Sequence, residues 1–158
     1  MKKYLWHLCA ATLLCSVGNA AVSPEVEKSV ESDKTHLLTT FKQIHKNPEL
    51  GFMETETSKI VADELKKFGY EVVTGIGKTG VAGVLKNGKG PVVMYRADMD
   101  ANAVKETTGL PYASTKVVKR GDGESVPVMH ACGHDAHTTW LLGIAKTMKE
   151  TRINGKEP

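Results

Sequence analysis

Cysteine is scarce in this chain. There are three among 158 residues, and two of them, Cys9 and Cys15, fall in the first fifteen positions. That leaves Cys132 without an intrachain disulfide partner once the first residues are set aside, so a disulfide-stapled scaffold is excluded. Aromatic residues make up 6% and the net charge is only +3. Setting aside Lys2 and Lys3 leaves 19 basic residues against 18 acidic ones. No basic stripe is present of the kind that tracks a phosphate backbone, which argues against nucleic acid as a partner. No apolar run reaches the roughly 20 residues that a membrane span needs. Hydrophobic residues at 41% and charged residues at 25% describe an ordinary globular chain, long enough for at most one domain.

What is present begins with a leader. Lys2 and Lys3 form a positive start, Tyr4 to Val17 is mostly apolar, and Gly18-Asn19-Ala20 offers small residues where a signal peptidase reads. Residues 1–20 are therefore expected to be a cleaved signal peptide, and the product to be exported, periplasmic or secreted, with no membrane attachment after cleavage. In an oxidising compartment a lone Cys132 thiol is a liability unless something occupies it.

Helical periodicity predicts a helix from about Pro24 to His45, with Pro at its first position, ended by Asn47-Pro48. A second is expected from about Glu54 to Phe68, closed by Gly69. The period then changes. Tyr70–Thr74 and Val81–Leu85 read as short strands, and Pro91–Asp98 as a buried strand. Residues 102–126 are polar and turn-rich and read as a surface excursion. Pro127–Met129 reads as a short strand, and a last helix reaches about Glu150, with a polar tail beyond. Gly75-Ile76-Gly77-Lys78-Thr79-Gly80 matches the dinucleotide glycine pattern, but a β-branched run follows it where that motif needs a helix. A hairpin loop is the better reading. The same stretch fails as a phosphate-binding loop because position 72 is Val72.

The densest chemistry lies in Val128-Met129-His130-Ala131-Cys132-Gly133-His134-Asp135-Ala136-His137. Thiol, imidazole and carboxylate are the ligand set of zinc and its neighbours. Cys132 and His134 are too close to share a helix face, but a turn at Gly133 lets them converge on one ion. A structural cluster and a lone reactive thiol are the competing readings. Asp135 is expected to cap a helix starting at Ala136. Upstream, Asp98 and Asp100 close the Pro91–Asp98 strand on one side. There they serve as ligands, as carboxylates that orient a ligand imidazole, or as solvated loop acids.

These residues resemble a known family. His45-Lys46-Asn47-Pro48-Glu49-Leu50-Gly51-Phe52, then Gly75 to Val81, Arg96-Ala97-Asp98-Met99-Asp100 and Met129 to His137 have the order and spacing of metal-dependent amidohydrolases. This family includes aminoacylases and carboxypeptidases, and the hippurate hydrolase and auxin-conjugate hydrolase branch is the most similar. The resemblance implies an α/β fold, the N-terminal part of a zinc-peptidase-like catalytic domain with helices on a mixed sheet, over 21–158. It implies a site of two divalent metal ions, zinc or manganese before cobalt or nickel, that hydrolyses the amide bond of N-acyl amino acids or small peptides. Cys132 and His134 match family metal ligands. Asp135 and His137 fall in the same motif, and Asp98 and Asp100 match the family's strand-end acidic pair. The family's Ala-Leu-Pro after the acidic pair is replaced by Ala101-Asn102-Ala103. The family's glutamate pair, which includes the general base, its two further ligand histidines and its lid or dimerisation domain all lie downstream of the motifs present. These residues alone are therefore expected to be inactive. The alternatives are an exported metal-binding module and a protein that binds acylated amino acids without cleaving them.

Overall fold

A computed structural model describes residues 22–151. The expected signal peptide over 1–20, with Cys9 and Cys15, lies outside the described residues, as does the polar tail beyond 151. The elements run α1 (Pro24–Lys46), α2 (Thr55–Lys67), β1 (Glu71–Ile76), β2 (Gly80–Val84), β3 (Val117–Lys119), β4 (Ser125–Pro127) and α3 (His134–Glu150). The class is α/β. Among the described residues no helix is long and apolar enough to cross a membrane.

Helix α1 starts where its sequence says it should. Ser23 accepts the Val26 N–H at 3.4 Å, Pro24 occupies the first turn with Glu25 and Glu27, and His45 and Lys46 sit at the negative end of the helix dipole. Its buried face is partly polar. Ser29 donates to Glu150 Oε2 at 2.6 Å and Asp33 pairs with Lys146, which fastens α1 along α3. Helix α2 has no capping side chain at its own N-terminus. The buried Glu49 carboxylate does that work from the preceding loop. It accepts the backbone N–H groups of Glu56 at 3.2 Å and Thr57 at 2.8 Å and the Thr57 hydroxyl at 2.8 Å.

The main core is Val61, Leu65, Leu142 and Ala145, with Leu37, Tyr70, Val72 and Val81 packed around it. Strands β1 and β2 form an antiparallel hairpin whose register shifts between Thr74 and Ile76, at Gly75 with φ +80°. The glycine pattern at 75–80 is thus a hairpin connection. Gly83 lies where a Cβ would come within 3.1 Å of the Leu65 side chain and 3.2 Å of that of Tyr70, so a larger residue there would push on both. A second, smaller core of Ala101, Val126 and Val128 sits under Leu50 and Val118.

Three expectations need correction. No strand forms over 91–98: Val92, Val93 and Met94 are 98%, 88% and 85% exposed. A β-branched run becomes a buried strand only beside hydrogen-bonded neighbours, and the described residues supply none there. Among the described residues the strands form two antiparallel pairs, β1–β2 and β3–β4. The only parallel contact among the described residues is the bridge Leu50–Ala101. The excursion at 102–126 is not all surface. It contains β3, and Ser114 is buried with its hydroxyl donating to the Val128 carbonyl at 2.7 Å. The strand expected at Pro127–Met129 lies two residues earlier, as β4, while Met129 pairs with Asn102.

Leu142 is 1% exposed at the centre of the main core. Leu142→Ala is expected to lower unfolding stability by about 2–5 kcal/mol in urea titration, whereas Leu38→Ala, at a half-exposed position, should stay within about 0.5 kcal/mol.

Candidate metal-binding edge

The site grows from the turn before α3. Gly133 takes a left-handed φ of +75° and serves as the N-cap, so the helix begins at His134, two residues earlier than expected. Asp135 is therefore not the cap. It lies in the first turn, 2% exposed, with Oδ1 accepting the Ala136 N–H at 2.9 Å and Oδ2 2.6 Å from His45 Nδ1. A carboxylate just before an apolar run reads as a cap from sequence. Here a partner 90 residues away claims it.

His134 turns the other way. Its Nδ1 lies 2.8 Å from the Asp100 carbonyl oxygen and 3.0 Å from Asp100 Oδ1. Both partners accept only, so Nδ1 carries the proton, and in the neutral ring the lone pair is on Nε2. Asp100 is held in turn, because the next N–H, that of Ala101, donates to the Glu49 carbonyl at 2.7 Å. Cys132 is exposed, with a free thiol. The His137 ring lies 5.7 Å from that of His134 and 5.4 Å from that of Trp140. Asp98 is drawn aside: its carboxylate pairs with Arg96 at 2.5 Å, and its carbonyl accepts the Thr138 hydroxyl at 3.1 Å. The structure thus brings Asp100 to His134 and leaves Asp98 and Asp135 in other contacts. Among the described residues no three His, Cys, Asp or Glu side chains converge in a cage of the kind that holds a metal ion.

Behind this edge lies a group that sequence reasoning did not single out as a unit. His45, at the end of α1, is buried between two carboxylates: Asp135 at Nδ1 and Glu106 Oε1, 3.1 Å from Nε2. Both ring nitrogens face acceptors, which is the arrangement of an imidazolium. Burial pushes the His45 pKa down, but hydrogen bonds and charge from Asp135 and Glu106 outweigh it and the net shift is upward. Burial likewise pushes the Glu106 carboxyl up, while the Thr108 hydroxyl, the Ser114 N–H and His45 bring it below its ordinary value. Phe41 and Tyr112 close over the His45 ring at 5.6 and 5.2 Å between centroids. His130, also buried, has both ring nitrogens without a hydrogen-bond partner among the described residues. Burial, its first cause, lowers its pKa. The signal for His45 was its place at the head of the His45–Phe52 motif. Nothing local marks Glu106.

Comparison with known proteins places this arrangement. Residues 94–158 match the family described as Peptidase family M20/M25/M40. It is 54% identical to the hippurate hydrolase of Campylobacter jejuni over 72% of this chain and 27% of that protein. It is 48% identical to the IAA-amino acid hydrolase ILR1-like 4 of Arabidopsis thaliana over 69% of this chain and 23% of that protein. Among solved structures it resembles the YXEP protein of Bacillus subtilis, a dinuclear metal-binding peptidase of the M20 family. That likeness has a TM-score of 0.66 and 35% identity, over 77% of this chain and 32% of that one. The chain therefore spans about a quarter to a third of the length of these relatives.

The two shifts set a pH window with a definite sign. The His45 contribution is complete below its ordinary 6.5 and is lost as pH rises through its raised folded value. The Glu106 contribution is complete above its ordinary 4.5 and is lost as pH falls through its lowered value. A His45→Gln variant is thus expected to lose most stability, relative to the parent, between these limits, with the deficit shrinking on the alkaline side. NMR titration of the His45 ring should give a midpoint above 6.5, and a midpoint at or below it would contradict the buried imidazolium.

Proposed function

We propose that this chain is the N-terminal portion of an exported metal-dependent amidohydrolase that cleaves the amide bond of N-acyl amino acids or small peptides. The observation that carries the reading is the Asp100–His134 contact. A carboxylate and a carbonyl that both take the Nδ1 proton fix the tautomer and present Nε2 as a donor. Two residues away stands the exposed Cys132 thiol. Thiol and imidazole together fit a divalent metal, zinc before harder ions. His134 and Cys132 would hold the ion, with His137 close by. When bound, the metal pair supplies a water of lowered pKa and polarises the amide carbonyl.

The remaining roles belong to this chain's own residues. Asp100 keeps the proton on His134 Nδ1 and sets the plane of the ring. Gly133 gives the turn that separates Cys132 from His134. The start of α3 places its positive dipole end just after Cys132. The His45 pair with Asp135 fixes the first turn of α3, and with it the direction of His134. The relatives' printed activities, on hippurate and on IAA-amino acids, support an N-acyl amino acid as substrate. We extend the proposal to a signal peptide over 1–20, to a catalytic-domain segment over 21–158, and to a homodimer formed through parts of a longer polypeptide.

Asp100→Asn is expected to weaken zinc binding by roughly 10- to 100-fold while leaving the fold intact. Cys132→Ala with His134→Ala should abolish it, as read by competition with a chromophoric chelator. Residues 21–158 purified alone should bind zinc without turning over an N-acyl amino acid. Hydrolysis by that segment, lost in Cys132→Ala, would overturn the division of labour proposed.

A further inference from the structure

Among the described residues, two non-glycine positions have a left-handed backbone, Phe52 with φ +64° and Lys78 with φ +101°. They lie in different segments, the loop before α2 and the turn between β1 and β2, yet they touch: Lys78 Nζ stands 5.0 Å from the centre of the Phe52 ring. A bulky side chain at positive φ is a genuine outlier, and such strain persists only where the surroundings hold it. They do so here. The loop is pinned by Ala101 N–H to the Glu49 carbonyl at 2.7 Å and by Met53 N–H to the Leu50 carbonyl at 2.9 Å. The Glu49 carboxylate is locked into the start of α2. The hairpin turn is tied down by the Thr79 hydroxyl, which donates to Glu54 Oε2 at 2.6 Å.

All this rigidity presents an aromatic ring to solvent. Phe52 is 68% exposed. A phenyl group held outward at the expense of backbone strain does nothing for a core. Its position gives it a use. A Cβ on the neighbouring Gly51 would lie 4.0 Å from Asp100 Cβ, and Leu50 bridges Ala101. The loop is therefore built onto the segment, Asp100-Ala101, that orients His134.

We propose that Phe52 is a specificity-determining residue: its ring stacks on an aromatic N-acyl group of the substrate, while Lys78 holds the ring in place from one face. The inference rests on the reading of the Cys132–His134 edge as the hydrolytic centre. Offset stacking between two rings strengthens binding by a few-fold to about tenfold. It leaves the reacting amide untouched, so the effect falls on KM.

The test uses the full-length enzyme that contains this sequence and compares the N-benzoyl and N-acetyl derivatives of one amino acid. Phe52→Gly removes the ring and relieves the positive φ together, so the fold survives. The expected result is a three- to tenfold fall in the benzoyl-to-acetyl ratio of kcat/KM, carried by KM, with recovery in Phe52→Tyr. An unchanged ratio in Phe52→Gly, with both substrates still cleaved, would overturn the inference and leave the hydrolase reading standing. If the parent enzyme cleaves neither substrate, the hydrolase reading fails instead, and calorimetric binding of the N-benzoyl amino acid decides the inference. Weakening of threefold or more in Phe52→Gly supports it. Equal binding, or none to the parent, overturns it.

Discussion

A single buried imidazole holds three remote pieces of this chain together. His45 ends α1, Asp135 opens α3, and Glu106 belongs to the long connection between them, and the three meet with side chains almost wholly removed from water. Removing charge from water is costly, and a buried ion is tolerated only when its hydrogen-bonding capacity is filled. His45 meets that condition with an acceptor at each nitrogen. Glu106 meets it with Thr108, Ser114 and His45. Asp135 does so with His45 and the Ala136 N–H. The first turn of α3 is thereby fixed, and so is the placement of every side chain that turn carries.

A second, parallel arrangement starts from the buried Glu49. Glu49 secures α2 with its carboxylate and Ala101 with its carbonyl. Asp100, beside Ala101, secures His134. Two acids on neighbouring segments thus divide the work: one builds the scaffold and the next orients the His134 ring. The order is chemically sensible. A donor aimed at an ion is useful only if the group that aims it is itself immobile.

Much of this was legible in the sequence. Ser23-Pro24 and the spacing of apolar residues mark α1 to within a residue at each end. The β-branched run after Gly80 shows that the glycine-rich stretch is a hairpin. What could not be read follows from distance. Asp135 looks like a cap because its local neighbours are all that sequence displays, whereas His45 lies 90 positions away. Glu106 sits in a polar stretch whose composition suggests solvent, yet its side chain is fully buried. Val92 to Met94 carry the propensity of a strand, but propensity supplies no partner. The family resemblance read from four motifs held: the family model matches residues 94–158, and the hippurate hydrolase aligns over 72% of the chain.

The separation of these contacts also shapes how the molecule comes together in time. The β1–β2 hairpin closes over a few residues and can form within microseconds. The His45–Asp135 contact closes a loop of 90 positions, and His134–Asp100 one of 34. Loop-closure entropy must be met before such contacts return anything, so contacts of this span belong to the late part of folding. During that interval Cys132 and the histidines around it belong to an open chain, free to meet oxidants or stray ions. The Cys132–His137 edge, which we propose as the metal site, is thus among the last parts of this chain to acquire its shape.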